Sequence, residues 1–431
     1  MVGARCAGSP TAMLLARQGY RVLLVDRASF PSDTMSTHCV TPPGVARLAG
    51  WGLRERVAAS GCPPISRMTL DLGDFALTGS PPAIDGVADQ YCVRRTVLDA
   101  ILVEAAVEAG AELRERFVVR ELLLEDGRVA GVQGVGRDGT EVTERARLVV
   151  GADGLHSVVA RAVEASTYAE RPSLTCFSYA YWSGVALDGA EFHLRDGRAI
   201  FAFPTNGGLA CIGMEWPVAE ARAFRADVEG NYLQTLDLAP GLADRVRAGS
   251  REGRFVATAD LPNLFRKPHG PGWALVGDAG CHKDPYLAQG MADAFRDAEL
   301  LAAAVDDGLS GRRPLEEALA DYELRRNRAA MPAYELNARL AHLRLPVGMR
   351  RRLRSLVGDQ EAIDGFLGVL AGTVPVAEFF SPHADGLLAG SSRRVPPSAA
   401  PPPPVPSCQG ADMAQPEADQ FAPSQHRRFT P

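Results

Sequence analysis

Lysine is all but missing from this chain: Lys267 and Lys283 stand against 44 arginines among 431 residues. A skew of that size reads as coding composition rather than chemistry. Acidic residues still outnumber basic ones by 52 to 46, leaving a formal charge of −6. A general nucleic-acid binder is basic, so no nucleic-acid partner is expected. Cysteines are few and scattered, at positions 6, 39, 62, 92, 176, 211, 281 and 408, and no two form a CxxC. That removes zinc-ribbon and thioredoxin-type motifs. A disulfide framework is not expected in so long a chain, and free thiols in a reducing, cytoplasmic setting fit better. No metal-ligand set or nucleophile triad stands out, and no metal is expected. No apolar run reaches the roughly 18 residues of a membrane span. The first 25 residues are broken by glycines and arginines and turn strand-like, unlike a signal peptide.

What is present is an ordinary globular composition, 46% hydrophobic and 23% charged, enough for a real core. At about 100–200 residues per domain the length predicts two or three domains. Met1-Val2 leads at once into Gly3-Ala4-Arg5-Cys6-Ala7-Gly8, followed by a helical pattern from Pro10 to about Gln18. Tyr20 to Asp26 then reads as a buried strand ending in a carboxylate. Residues 44–60 read as helical, 63–90 as loops and short strands, and Val97 to Ala109 as a strong helix closed by Gly110. Leu122 to Val135 predicts a hairpin turning at Glu125-Asp126-Gly127, and Arg147 to Val150 a strand. From about 173 to 260 the apolar residues alternate, as an antiparallel sheet requires, with helices over 218–248. Trp273 to Asp278 is another strand ending at glycine and carboxylate, a helix follows from Gly290 to Asp306, and further helices fill 314–372. Beyond about 385 the composition falls to Ser, Pro, Ala and Gln, including Pro401 to Pro404, and predicts a disordered, dispensable tail.

Three constellations carry chemistry. The turn from Gly3 to Gly8, with Asp26 eighteen residues beyond Gly8, has the form of a dinucleotide site. The glycines let backbone approach a pyrophosphate at a helix N-terminus, and the acid accepts from ribose hydroxyls. Gly151-Ala152-Asp153-Gly154, with Ser157 and Arg161, is the second. Gly277-Asp278-Ala279, followed by Pro285 and Gln289-Gly290-Met291, is the third. Each Gly-Asp taken singly is more often a plain turn. Arg5 sits where a second glycine is expected, so its side chain must turn away from a pyrophosphate or bind it. The strand expected before Gly3 is missing but for Met1-Val2, which predicts an upstream strand in the natural form.

In this order and spacing the three constellations resemble the FAD-dependent oxidoreductases of the aromatic-hydroxylase type. Phe30-Pro31-Ser32-Asp33-Thr34-Met35-Ser36-Thr37-His38 resembles their geranylgeranyl-reductase-like branch. The resemblance covers about 1–305. It implies an α/β architecture: a Rossmann-like FAD-binding domain with an inserted antiparallel-sheet substrate lobe and a C-terminal helical region. FAD-binding parts are expected at 1–62, 93–165 and 266–306, a substrate-lobe segment at 63–92, the sheet lobe at 166–265, C-terminal helices at 307–384 and the tail at 385–431. On the family pattern Gly3, Gly8, Asp26 and Arg27 fall on the ADP half, and Arg95, or Arg94 beside it, near the FAD phosphates or ribityl chain. Asp153 and Gly154 match the motif that serves both FAD and NAD(P)H. Asp278 matches the ribityl ligand, and Pro285, Gly290 and Met291 line the isoalloxazine.

The resemblance implies FAD as cofactor, NAD(P)H as electron donor and a small-molecule substrate, in a monomer or homodimer. The leading expectation is a monooxygenase that hydroxylates or epoxidises an aromatic or polyketide-like molecule. A reductase of isoprenoid double bonds is the alternative, and a degenerate, non-catalytic nucleotide-binding protein a third. Flavin halogenases need a lysine between flavin and substrate and a WxWxIP-type segment, and this chain has neither before Lys267. The catalytic residue stays open: His38 is a candidate base near the flavin, against the plainer reading of a surface or hydrogen-bonded loop residue. His282 and Lys283 read as loop solvation, and Tyr179, Tyr181 and Trp182 as substrate-facing or core. Arg339, Arg344, Arg350, Arg351, Arg352 and Arg354 read as a solvated basic face, so membrane contact is not expected.

Overall fold

Three short apolar runs, each closed by a glycine or a carboxylate, build a parallel sheet: Leu23–Asp26, Val149–Gly151 and Trp273–Leu275. The computed structural model describes residues 1–380, so the tail expected from 385 lies outside the described residues. Glu112–Glu115 pairs in parallel with Leu23–Asp26, and His269–Gly270 closes the far edge antiparallel to Trp273–Leu275. The first-strand position, expected to be nearly empty, is held by Met1 to Gly3. Val2 N donates to Val150 O at 2.8 Å, Gly3 N to Val25 O at 2.8 Å, and Ala152 N to Val2 O at 2.7 Å. Val2 thus bridges both neighbours, and the sheet runs unbroken across its centre.

One face of this sheet is covered by Gly8–Arg17, Arg95–Glu108 and Gly290–Leu309, which pack through Met13, Leu98, Leu102 and Phe295. The other face carries an antiparallel meander of Val118–Glu125, Arg128–Val135 and Glu141–Arg145, with Val119, Val129 and Val132 packed on Val149 and Leu275. Its first turn falls at Asp126-Gly127, both at positive φ, which a tight two-residue hairpin demands.

A seven-stranded sheet forms the second layer. Its order is Ser250–Thr258, Thr175–Ser183, Ala210–Pro217, Arg198–Pro204, Ala190–Arg195, Met68–Asp71 and Ala76–Gly79. The last two come from the stretch read as loops and short strands, and only the Ala190–Arg195/Met68–Asp71 pairing is parallel. Side chains alternate across it. Ala180, Trp182, Ile212, Met214 and Trp216 pack under the short helices Ala221–Ala226, Val228–Leu236 and Pro240–Ala248. Phe177, Tyr179, Tyr181, Phe201, Phe203 and Cys211 face the opposite way.

Over that second face lie Leu315–Leu340, Val347–Ser355 and Gln360–Ala371. The arginine-rich stretch read as solvated is partly neutralised, because Arg350 and Arg354 both pair with Asp74, and Arg344 with Asp196 at 3.0 Å. Arg326, fully buried, donates to the carbonyls of Gly280 at 3.0 Å and Arg266 at 3.1 Å. It thereby ties the long C-terminal helix to the turn that carries Asp278. No helix among the described residues is long and apolar enough to cross a membrane.

Candidate active site

The chain leaves the central sheet at Gly3 with φ +98°, and a Cβ there would stand 2.4 Å from the Ala152 carbonyl oxygen. Gly8, the first residue of its helix, is tighter still: a Cβ would lie 1.8 Å from Gly3 O. The turn is folded so closely that no other side chain fits these two positions. The N–H groups of Cys6, Ala7 and Gly8 have no acceptor among the described residues, and no side chain caps the helix. Unpaired N–H groups at a helix N-terminus form an anion cradle. At the end of the next strand, Asp26 Oδ2 accepts from Ala4 N and Oδ1 from Ala28 N, each at 2.8 Å. Its carboxylate is fixed beside the cradle, with a further lone pair on each oxygen for ribose hydroxyls. Arg27, next to it, is exposed.

Arg5 turns away from the cradle. Its guanidinium donates to Asp99 Oδ2 at 2.6 Å, Ser32 Oγ at 2.9 Å and Ser32 O at 3.3 Å. Asp99, 0% exposed, also takes Arg95 Nε at 3.1 Å and Nη2 at 3.0 Å. One buried carboxylate therefore holds two guanidinium groups. Burial works against the Arg95 charge, but Cys6, Asp99 and Asp278 outweigh it and hold its pKa above the ordinary range. Arg95 and Asp278 are thus brought within electrostatic reach across the site. Arg94, the alternative, lies over the Tyr181 ring at 4.6 Å instead.

The late motif packs directly on the first. Gly277 has φ +63°, and a Cβ on it would stand 2.6 Å from Ala7 Cβ. Asp278, beside it, is exposed and makes no side-chain hydrogen bond among the described residues. Pro285 opens a short turn whose Tyr286 N is held by Asp284 Oδ1 at 3.2 Å. The chain then enters Gly290–Leu309, where the N–H groups of Gly290 and Met291 are unpaired and nothing lies within 4 Å of a Cβ built on Gly290. An open helix N-terminus of this kind suits a flat, partly anionic ring edge. Asp153 is employed locally: Oδ1 accepts from Ser157 Oγ and Oδ2 from Val158 N, each at 2.6 Å, which caps Val158–Ala162. Burial pushes its carboxyl pKa up. Gly154 follows at φ +80°.

On the Tyr181 face of the seven-stranded sheet, His38 is 0% exposed and has φ +62°. Its Nε2 lies 2.7 Å from Tyr181 Oη, its ring meets Tyr179 edge-on at 5.0 Å, and its Nδ1 has no partner. It is not a surface residue; it is buried and hydrogen-bonded. Trp182 is excluded from this side, since strand alternation turns it to the helical face, where it stacks on Tyr232. His282 is held by Pro262 O and Lys283 by Asp293, both at 2.5 Å.

Between the seven-stranded sheet and the C-terminal helices lies a narrow, largely apolar cavity. Met68, Phe192, Phe201, Leu345 and Phe366 line it, and Tyr286 to Ala288, just before the Gly290 helix, form its other wall. One acid faces into it. Glu215 is 0% exposed and neither carboxyl oxygen has a partner. Burial first, then the neighbouring Asp284, push its pKa well above the usual carboxylate range. Burial likewise raises Asp284 to about 6.

A family model described as an FAD binding domain matches residues 1–213. The chain is 30% identical to digeranylgeranylglycerophospholipid reductase 1 of Methanopyrus kandleri over 305 residues, 68% of this chain and 75% of that protein. The chain belongs to the FAD-dependent oxidoreductases, in their geranylgeranyl-reductase-like branch. The myxobacterial chondrochloren halogenase CndH has the same fold, with a TM-score of 0.74 at 23% identity over 88% of this chain and 91% of that one. So does P. aeruginosa PqsL in complex with 2-aminobenzoylacetate, with a TM-score of 0.68 at 22% identity over 85% and 98%.

In this FAD-dependent oxidoreductase the glycine turn, Asp26, Arg95 and Asp278 lie at one end of the central sheet, and the Gly290 helix begins two residues after Ala288, the end of the cavity wall. The residues suit a dinucleotide flavin: unpaired N–H groups for phosphates, free carboxylate lone pairs for hydroxyls, open space for a ring. Asp278→Ala should weaken FAD by about 1–3 kcal/mol, the cost of unpaired polar groups. Flavin absorbance per protein after gel filtration checks it, and a variant as yellow as its parent refutes the assignment. Sequence reasoning missed Asp99 and Glu215. Both had a readable signal: Asp99 lies four residues from Arg95 on one helix face, and Glu215 is an acid amid Ala210–Pro217, an otherwise apolar strand.

Proposed function

We propose that this oxidoreductase holds FAD along Gly3–Gly8, Asp26, Arg95 and Asp278, takes electrons from NAD(P)H, and monooxygenates a hydrophobic aromatic or polyketide-like molecule seated in the cavity. The observation that carries this reading is the apolar cavity whose wall, Tyr286 to Ala288, runs straight into the Gly290 helix. Bound FAD would supply the redox and oxygen chemistry. The chain's own contribution is to bind the cofactor through the cradle, to seat the substrate against aromatic and aliphatic side chains, and to keep water out. His38, bonded to Tyr181 in the buried layer next to the cavity face of the sheet, orients that layer. PqsL, with a bound aromatic, supports a substrate of this class.

Reduction of an isoprenoid double bond is the second reading, favoured by the name of the Methanopyrus kandleri relative and by Glu215, a protonated acid where adding hydrogen across a double bond needs one. FAD-loaded protein, NAD(P)H and candidate substrates, with and without oxygen, separate the two. The first reading expects substrate-dependent oxygen uptake and a product one oxygen atom heavier. A product that gains two hydrogens without oxygen would overturn it in favour of the second.

A further inference from the structure

We propose that Glu215 is the specificity-determining residue of the cavity, donating a hydrogen bond to a single acceptor oxygen on an otherwise apolar substrate. The inference rests on the reading that substrate enters this cavity. Glu215 sits mid-strand between Phe177 and Ala199 on the cavity face of the sheet. Its two oxygens are buried and unpartnered, and the residue lines the cavity. No cation pairs with it among the described residues. The titratable groups around it are Asp284, Tyr286 and, on the adjacent strand, Cys176.

Asp284 is already engaged, accepting from Thr175 Oγ1 at 2.7 Å and Tyr286 N at 3.2 Å, with Asn263 Oδ1 holding its own N–H at 2.8 Å. Two carboxyls this deeply buried do not both stay charged. The one with hydrogen-bond donors around it keeps the charge, and Glu215, without any, keeps the proton. A protonated carboxyl offers one O–H donor, and neither oxygen has a partner among the described residues, which leaves that donor for a ligand. The preferred substrate is therefore an extended hydrophobic molecule with a carbonyl or comparable acceptor, rather than a bare hydrocarbon.

The test uses the FAD-loaded full chain with a neutral solvatochromic dye, Nile red, in the cavity. A long-chain methyl ketone and the alkane of the same length compete for it. The parent should prefer the ketone by about tenfold, the worth of one hydrogen bond. Glu215→Gln, which keeps an N–H donor, should hold that preference within about threefold, and Glu215→Leu should erase it. Equal displacement by both competitors in the parent, or an unchanged preference in Glu215→Leu, overturns the role of Glu215 while leaving the cavity as the substrate site. If neither competitor displaces the dye, the cavity reading fails and Glu215 with it. Difference infrared spectroscopy of parent against Glu215→Gln keeps the test independent of Glu215→Leu folding. A protonated-carboxyl band that is lost in Glu215→Gln, and that shifts down when ketone binds, is expected. Its absence from the parent overturns the proposal.

Discussion

Gly8→Ala is expected to yield a protein without FAD. A methyl group at this position would stand 1.8 Å from Gly3 O, a backbone atom that cannot swing aside as a side chain does. Gly3 is itself held on both sides, by its own N–H to Val25 O at 2.8 Å and by the close approach of Ala152. The turn must open, and the unpaired N–H groups of Cys6 to Gly8 then no longer converge on one anion. Each hydrogen bond to a charged group is worth about 1.5–3 kcal/mol, so losing two costs about a hundredfold or more in affinity. The helix itself should survive, because alanine is the better helix former by about 1 kcal/mol. The decisive measurement is the flavin-to-protein ratio alongside far-ultraviolet circular dichroism. A folded variant carrying one FAD per chain would remove the cradle from the binding site.

Asp99→Ala should be the most destabilising single change near the site. Asp99 is wholly buried and accepts from both Arg5 and Arg95. Removing it leaves two neighbouring guanidinium groups without the carboxylate they share. Breaking a buried ion pair from one side costs about 3–5 kcal/mol, which for a chain of this size lowers the melting temperature by roughly 4–6 °C. Asp99→Asn keeps an acceptor but not the charge, and should fall between the two. Arg95 also loses the carboxylate that accepts its hydrogen bonds, so flavin retention should fall together with stability. A variant that melts within a degree of its parent would show that the two arginines find other partners or solvent.

These two predictions draw on different layers of information. The need for glycine at positions 3 and 8 was legible from local spacing, because a strand–turn–helix passage that brings backbone to a phosphate demands it within a few residues. The same holds for Asp26, the last residue of its strand, whereas Asp278 stands in the short turn Gly277–Ala279 beyond the strand Trp273–Leu275. The alternation in Thr175–Ser183 and Ala210–Pro217 was enough to predict an antiparallel sheet, since side-chain direction follows from a period of two. The place of Val2 as the residue that joins both halves of the central sheet was not legible, since a one-residue bridge leaves no apolar run to read.

Local chemistry therefore determined the glycine turns, the helix starts and Asp26, because these are set by backbone geometry over a handful of residues. Only the tertiary structure decided what Arg5 and Asp153 do. Arg5 meets Asp99 across a separation of 94 residues, and Asp153 spends its oxygens on the helix that follows it. It also decided which face of the sheet Tyr181 and Trp182 take, and that Glu215 ends up without a partner beside Asp284. Charge burial and cavities arise where distant segments meet, and their energies depend on which groups are excluded from water together, a property no single stretch of chain carries.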